Sequence, residues 1–225
     1  MRAPNRQTVR TLKILVFLAC LLPLATLMME TFNIAGRGLG ANPIEEILHR
    51  FGKWGLNFLL ITLAVTPLRR ISGQHWLVRF RRMLGLFALF YVSMHLLSYA
   101  ILDQQLDLAA VTEDILERPY ITLGMTAIVL LIPLGLTSTN AMMRRLGRRW
   151  QQLHYLIYPA AMLGVWHFYW QVKQDVREPF IYATVLAVLL GYRIWVRKRK
   201  PQRKPAIATR APGTKEHLAV KGATP

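Results

Sequence analysis

Three histidines stand in stretches of this chain where water-soluble side chains are otherwise missing. His95 falls in the run 83–102, and His154 and His167 fall in 150–172; neither run contains Asp, Glu, Lys or Arg, and nor does 119–143. A polar group held at membrane depth is costly and usually has a task there. Three imidazoles on two segments, with no carboxylate inside any span, do not suit a proton relay or a cation path, which would place acids among them. A zinc site would want a tight cluster with a carboxylate or thiolate. Two imidazoles facing each other across an apolar helical bundle suit the axial ligation of one haem. The single cysteine, Cys20, excludes an intramolecular disulfide, a four-cysteine iron–sulfur cluster and a covalent CxxCH attachment. The haem expected is therefore b-type.

Depth along the chain selects the pair. Counted from the outer ends of their segments, His95 is eight residues before Asp103 and His167 six before Lys173. At 1.5 Å per residue the two depths agree within about 3 Å. His154 is 13 residues before His167, about 20 Å lower and about 140° off its face on a straight helix. A bend at Pro159 would change that phase. The favoured axial pair is thus His95 with His167. His154 is left with three readings: a ligand of a second haem, at a depth where the third segment has only Arg82; a flavin or quinone contact; or a structural histidine. Ala160, Gly164 and His167 share one stripe, which either admits a porphyrin close to the backbone or packs on another helix. Arg81, Arg82, Arg148 and Arg149 stand where haem propionates or a flavin phosphate would be paired, or they are simply the basic belt of a membrane protein.

The elements that must position these residues follow from composition. The chain has 225 residues, is 53% hydrophobic and carries a formal net charge of +18. That charge alone would suggest nucleic acid, but the long charge-free runs match a bilayer core and exclude it. Six spans are expected, at 14–29, 54–68, 83–102, 119–137, 152–170 and 180–196, in one compact all-α bundle without an internal repeat. The first reads as a retained anchor, since no A-x-A cleavage site follows it. Twenty-three of the 29 basic residues fall on one side of these spans, and ten of the 11 acids on the other. Both termini are therefore expected in the cytoplasm. The expected division is a cytoplasmic N-terminus at 1–13, a haem-binding membrane domain at 14–196, and a basic, disordered tail at 197–225 that touches anionic lipid or only fixes topology. Trp150, Trp166, Tyr169 and Trp170 are expected as interface anchors. The acidic outer loop 103–117 would steer a partner protein or have no docking task. There is no G-x-G-x-x-G fingerprint, P-loop or nucleophile elbow, so electrons must come from a diffusing carrier or another protein.

Four segments carry a family resemblance: NPIEEILHRFGKWGLNFLLITLAVTPLRR at 42–70, RRMLGLFALFYVSMHLLSY at 81–99, RPYITLGM at 118–125 and WQQLHYLIYPAAMLGVWHFYW at 150–170. With their order and spacing they resemble the haem-binding membrane subunits of bacterial periplasmic protein-methionine-sulfoxide reductase systems (the MsrQ/YedZ family), within the ferric-reductase-like transmembrane group. The resemblance implies a multi-pass protein of the bacterial inner membrane that binds haem b and FMN. It implies electron transfer from the quinone pool or a cytosolic flavin reductase to a periplasmic molybdopterin-containing catalytic subunit, which repairs oxidised methionine. The haem ligands it implies are His95, His154 and His167; the FMN site has no motif. In the wider group two histidines are expected on the third span, and this chain has Arg82 at the first of those positions. The rival expectations are a ferric or other metal reductase and, outside redox chemistry, a transporter or assembly scaffold with structural histidines.

Overall fold

The computed structural model describes residues 4–36, 38–172 and 175–199. Among them there are helices and turns but no strand. In chain order the α-helices are α1 (Arg6–Thr31), α2 (Pro43–Ser72), α3 (Val78–Ser98), α4 (Leu108–Glu117), α5 (Pro119–Leu136), α6 (Asn140–Leu146), α7 (Arg148–Leu153), α8 (Ile157–Gln171) and α9 (Arg177–Arg199).

Local sequence sets the ends. Asn42 caps α2 by accepting from the Glu45 N–H, its amide donates to the Glu45 carboxylate, and Pro43 begins the helix. Gly73 ends it at φ 69°, a left-handed conformation that glycine adopts without steric cost. Asp107 caps α4 through the N–H groups of Ala109 and Ala110. Pro119 starts α5, and Thr139 caps α6.

Among the described residues five helices are long and apolar enough to cross a membrane: α1, α2, the continuous 75–103 stretch containing α3, α5 and α9. The fifth expected span, 152–170, is divided. Residues His154–Leu156 form a 3-10 turn, which leaves α8 with 15 residues, about 22 Å of helix. Pro159 supplies the cause, because it has no N–H for the Tyr155 carbonyl and its ring crowds that group. A second irregularity follows His95, where Tyr99–Asp103 widen into a π-turn.

Contacts between helix ends show the alternation. Arg50 of α2 meets Glu30 of α1, Lys53 of α2 meets Glu178 of α9, and Gln171 of α8 meets His49 of α2. Those ends share one pole with the acidic α4. At the other pole Arg82 of α3 meets Asn140 of α6, and Arg193 of α9 meets the Tyr158 hydroxyl and the Leu63 carbonyl. Between the poles a continuous core joins Leu27, Leu59, Leu63, Phe58, Phe87, Ala88, Tyr91, Leu131, Ala160 and Ala161. The large side chains left exposed on α1 and α9, among them Leu15, Leu22, Ile181 and Val188, face outward, as lipid-facing residues do.

Tyr91 closes the gap that Pro23 opens in α1. Its hydroxyl accepts from the Leu24 N–H at 3.1 Å and donates to the Cys20 carbonyl at 2.8 Å. It thus stands in for the Leu24–Cys20 bond of a regular helix, and it ties α1 to α3 at the centre of the core.

Two expected boundaries lie inside helices. The one at residue 13 falls within α1, and the one at 196 falls within α9. Most of the expected tail, with its lipid contact, lies outside the described residues. The segment 103–117, expected as an outer loop, contains α4, and its Asp114 is buried against the bundle.

Candidate metal centre

His95 and His167 meet. Their ring centroids are 6.1 Å apart and their planes are inclined at 70°. Two metal–nitrogen bonds of about 2 Å in line, plus about 1 Å from each nitrogen to its ring centre, require about 6 Å. The separation of the two rings is compatible with that requirement.

Each ring is held by the same device on a neighbouring helix. The Nδ1 of His95 lies 2.9 Å from the Leu48 carbonyl of α2, and the Nδ1 of His167 lies 2.7 Å from the Tyr120 carbonyl of α5. A carbonyl only accepts, so each Nδ1 carries the proton and donates it. Each Nε2 then holds a free lone pair, the form in which a neutral imidazole binds metal. One turn beyond each acceptor stands a glycine. A Cβ on Gly52 would lie 3.2 Å from the His95 Nδ1, and one on Gly124 would lie 3.0 Å from the His167 Nδ1. Both positions need glycine because a ring lies directly on the backbone there.

The two histidine-bearing helices each pack on a different neighbour. α3 packs closely on α2 and α8 on α5, while α3 and α8 face each other without close packing. Among the described residues no group of three or more His, Cys, Asp or Glu gathers around one point, which excludes a zinc-type cluster there. Two neutral imidazoles with free Nε2 atoms, seated on glycines in an apolar bundle, fit a bis-histidine haem.

His154 does not join them. It begins the 3-10 turn, stacks on Trp150 at 3.8 Å between centroids, and lies 3.0 Å through Nδ1 from the Trp150 carbonyl. By the same reasoning its Nε2 is free. Arg82, at the depth where a partner was sought, is turned to Asn140 and Met143 of α6. Arg81 is the arginine within electrostatic reach of His154.

Other expected residues sort as follows. The stripe Ala160–Gly164 takes its packing reading: Ala160 is fully buried in the core, and a Cβ on Gly164 would meet Leu56. Trp150 donates its ring N–H to the Thr137 carbonyl, so it serves the bundle's interior. Trp166, Tyr169 and Trp170 are exposed at the acidic end of α8, where interface anchors belong. His75 is exposed, and His217 lies outside the described residues. The acidic segment holds its charge internally in part, since Asp114 accepts from Tyr99, Gln104 and Arg118.

Sequence reasoning missed Leu48, Gly52, Tyr120 and Gly124. Two are backbone acceptors, which leave no side-chain signature. The findable signal was a constant spacing: adding 72 to Leu48, Gly52 and His95 gives Tyr120, Gly124 and His167. No internal repeat was expected, yet this local one exists, and it takes Arg82 to His154 as well.

Comparison with known proteins places the chain in a family. A family model described as "Ferric reductase like transmembrane component" matches residues 51–165. A protein of Xanthomonas euvesicatoria named "Protein-methionine-sulfoxide reductase heme-binding subunit MsrQ" is 52% identical over 196 residues, 86% of this chain and 90% of the relative. Proteins of the same name from Xanthomonas axonopodis and Rhodospirillum rubrum are 48% identical over 94% of the chain and 51% identical over 86% of it, covering 99% and 93% of their own lengths. With a family model over half of its length and relatives matched almost end to end, the chain belongs to the MsrQ family, within the ferric-reductase-like transmembrane proteins.

Proposed function

We propose that this protein is the membrane electron-transfer subunit of a protein-methionine-sulfoxide reductase system, and that His95 and His167 are the axial ligands of one b-type haem near the acidic end of the bundle. The observation that carries the reading is the matched pair of imidazoles, each with Nδ1 committed to a carbonyl and Nε2 free, at 6.1 Å. The relatives are named as heme-binding subunits of protein-methionine-sulfoxide reductase.

A bound haem supplies reversible one-electron chemistry. Everything else is the work of this chain's residues. The Leu48 and Tyr120 carbonyls hold the two imidazoles in one tautomer, fix the planes of the rings and raise the basicity of the ligating nitrogens. Gly52 and Gly124 let the rings sit close to the helices. The surrounding core excludes water, which with ligand identity sets the potential. The chain needs no nucleophile or general acid for this task, and the catalytic subunit is a separate protein.

In this reading the protein crosses the bacterial inner membrane six times, the run 148–171 being the fifth crossing despite its break. The basic pole and both termini face the cytoplasm, and the acidic pole faces the periplasm. Electrons enter at the basic pole from the quinone pool or a cytosolic flavin reductase and leave at the acidic pole for a periplasmic molybdopterin subunit. His154, with its free Nε2 and its place at the basic pole, belongs to the entry side. FMN belongs to this reading only through the family resemblance.

The test has two parts. Purified protein from haem-replete cells shows a sharp Soret band and split α/β bands on reduction; a colourless folded preparation contradicts the redox reading. Reconstituted with the molybdopterin partner and an oxidised protein, it supports methionine-sulfoxide reduction. A ferric reductase would instead reduce ferric chelates without that partner.

A further inference from the structure

The basic pole contains a charge problem that the haem pair does not address. Arg69 of α2, Arg81 of α3 and Arg193 of α9 come together there. Arg81 stands within electrostatic reach of both other guanidinium groups and of Tyr158. Arg193 donates to the Tyr158 hydroxyl at 2.8 Å and to the Leu63 carbonyl, and its guanidinium lies 5.3 Å from the centre of the Tyr158 ring. The Nε atoms of Arg69 and Arg193 are buried, and neither has a hydrogen-bond partner.

Every ion pair among the described residues is at the opposite pole: Glu30 and Glu46 on Arg50, Glu178 on Lys53, and Asp114 on Arg118. No Asp or Glu of the described residues lies at the basic pole. Solvated arginines in a basic belt need no partner, but buried guanidinium N–H groups do. Three like charges held together at the edge of a low-dielectric bundle also repel unless an anion stands among them.

We propose that Arg69, Arg81 and Arg193, with the Tyr158 hydroxyl, form a binding site for a phosphate group. Guanidinium forks match phosphate and carboxylate oxygens alike. Phosphate fits better here because donors arrive from three helices, and a tetrahedral anion offers oxygens in three directions where a carboxylate offers two in one plane. Tyr158 accepts from Arg193, so its own O–H is left to donate to the same anion. Two sources present this chemistry at that pole, the headgroup of a membrane phospholipid and the phosphate of a soluble phosphomonoester such as a flavin mononucleotide. The site is distinct from the His95–His167 centre and stands whether or not that centre holds haem.

The test is native mass spectrometry of the full-length detergent-purified chain, with bound phosphorus measured on the same samples. Short-chain phosphatidylglycerol, short-chain phosphatidylcholine and flavin mononucleotide are then titrated separately as probes. Wild type retains or binds one phosphate-bearing molecule per chain, and the probe that binds names the source. R69Q and R193Q each weaken that binding about tenfold or more, as expected for the loss of a charge-assisted contact, and Y158F weakens it less. Arg193 also ties α9 to α2 and α8, so R193Q alone would not separate binding from folding. R69Q, whose buried Nε has no partner to lose, makes that separation. Wild type that binds none of the probes and carries no phosphorus overturns the proposal, as does R69Q that binds like wild type. Unchanged phosphate binding with lost haem absorbance in R69Q overturns it too, since the anion would then be a haem propionate.

Discussion

His95 and His167 face each other at 6.1 Å, and each is seated on a different helix by one repeated device. A carbonyl 47 residues earlier accepts the hydrogen bond from Nδ1–H, and a glycine one turn after that carbonyl makes room for the ring. The α2–α3 pair and the α5–α8 pair therefore present the same chemistry to the space between them. Single substitutions separate the parts of the device.

Gly124→Ala and Gly52→Ala test the seats. The ring cannot slide away from a new methyl without giving up its carbonyl. The contact would be 3.0 Å at Gly124 and 3.2 Å at Gly52, and crowding of this kind costs about 1–3 kcal/mol. Haem per protein, read as Soret absorbance over protein concentration, falls in both variants and further in G124A. Helix propensity favours alanine, so a thermal melt alone would obscure the effect.

Tyr91→Phe tests the insertion into α1. It leaves the Cys20 carbonyl and the Leu24 N–H without their shared partner in the core. Stability drops by about 1–3 kcal/mol, measured by thermal unfolding in detergent, while haem per folded protein stays at the wild-type level. Loss of haem in parallel with stability would mean that α1 helps to hold the centre.

At the acidic pole two carboxylates should differ sharply. Asp114 is buried and receives Tyr99, Gln104 and Arg118. D114N weakens all three contacts, costs about 1–3 kcal/mol and speeds proteolysis between α3 and α4. Glu178 pairs with Lys53 in the open, with 55% and 40% of the side-chain areas exposed. E178Q therefore changes stability by less than about 1 kcal/mol.

His154→Ala removes an imidazole that stacks on Trp150 and touches neither His95 nor His167. The absorbance and potential of the His95–His167 centre persist in H154A. Any fall in haem per protein is then confined to a second, spectrally separable component. Disappearance of the whole signal would show that the three histidines serve one centre.

The all-α membrane class was legible because charge-free runs are rare, and counting residues was enough to put His95 and His167 at one depth, where their rings lie 6.1 Å apart. The seats were not legible. The Leu48 and Tyr120 carbonyls are backbone groups, and glycines are common in membrane helices for other reasons. The role of Gly164 stayed open between two readings because a stripe of small residues looks the same against a porphyrin and against Leu56. Pro159 was recognised as a place for a bend, but spacing alone does not say that the bend takes the form of a 3-10 turn at His154–Leu156 that shortens α8. The helix inside 103–117 was missed because its acidic residues suggested an exposed loop. Asp114 is paid for by partners on both sides of it in sequence.

The most direct test of the account is the reduced-minus-oxidised visible spectrum of H95A and H167A, each compared with wild type at equal amounts of folded protein. The account predicts that the two variants lose the same band, and that the double variant loses no more than either one. A variant that keeps full haem content, or two variants that lose different bands, would contradict a shared centre.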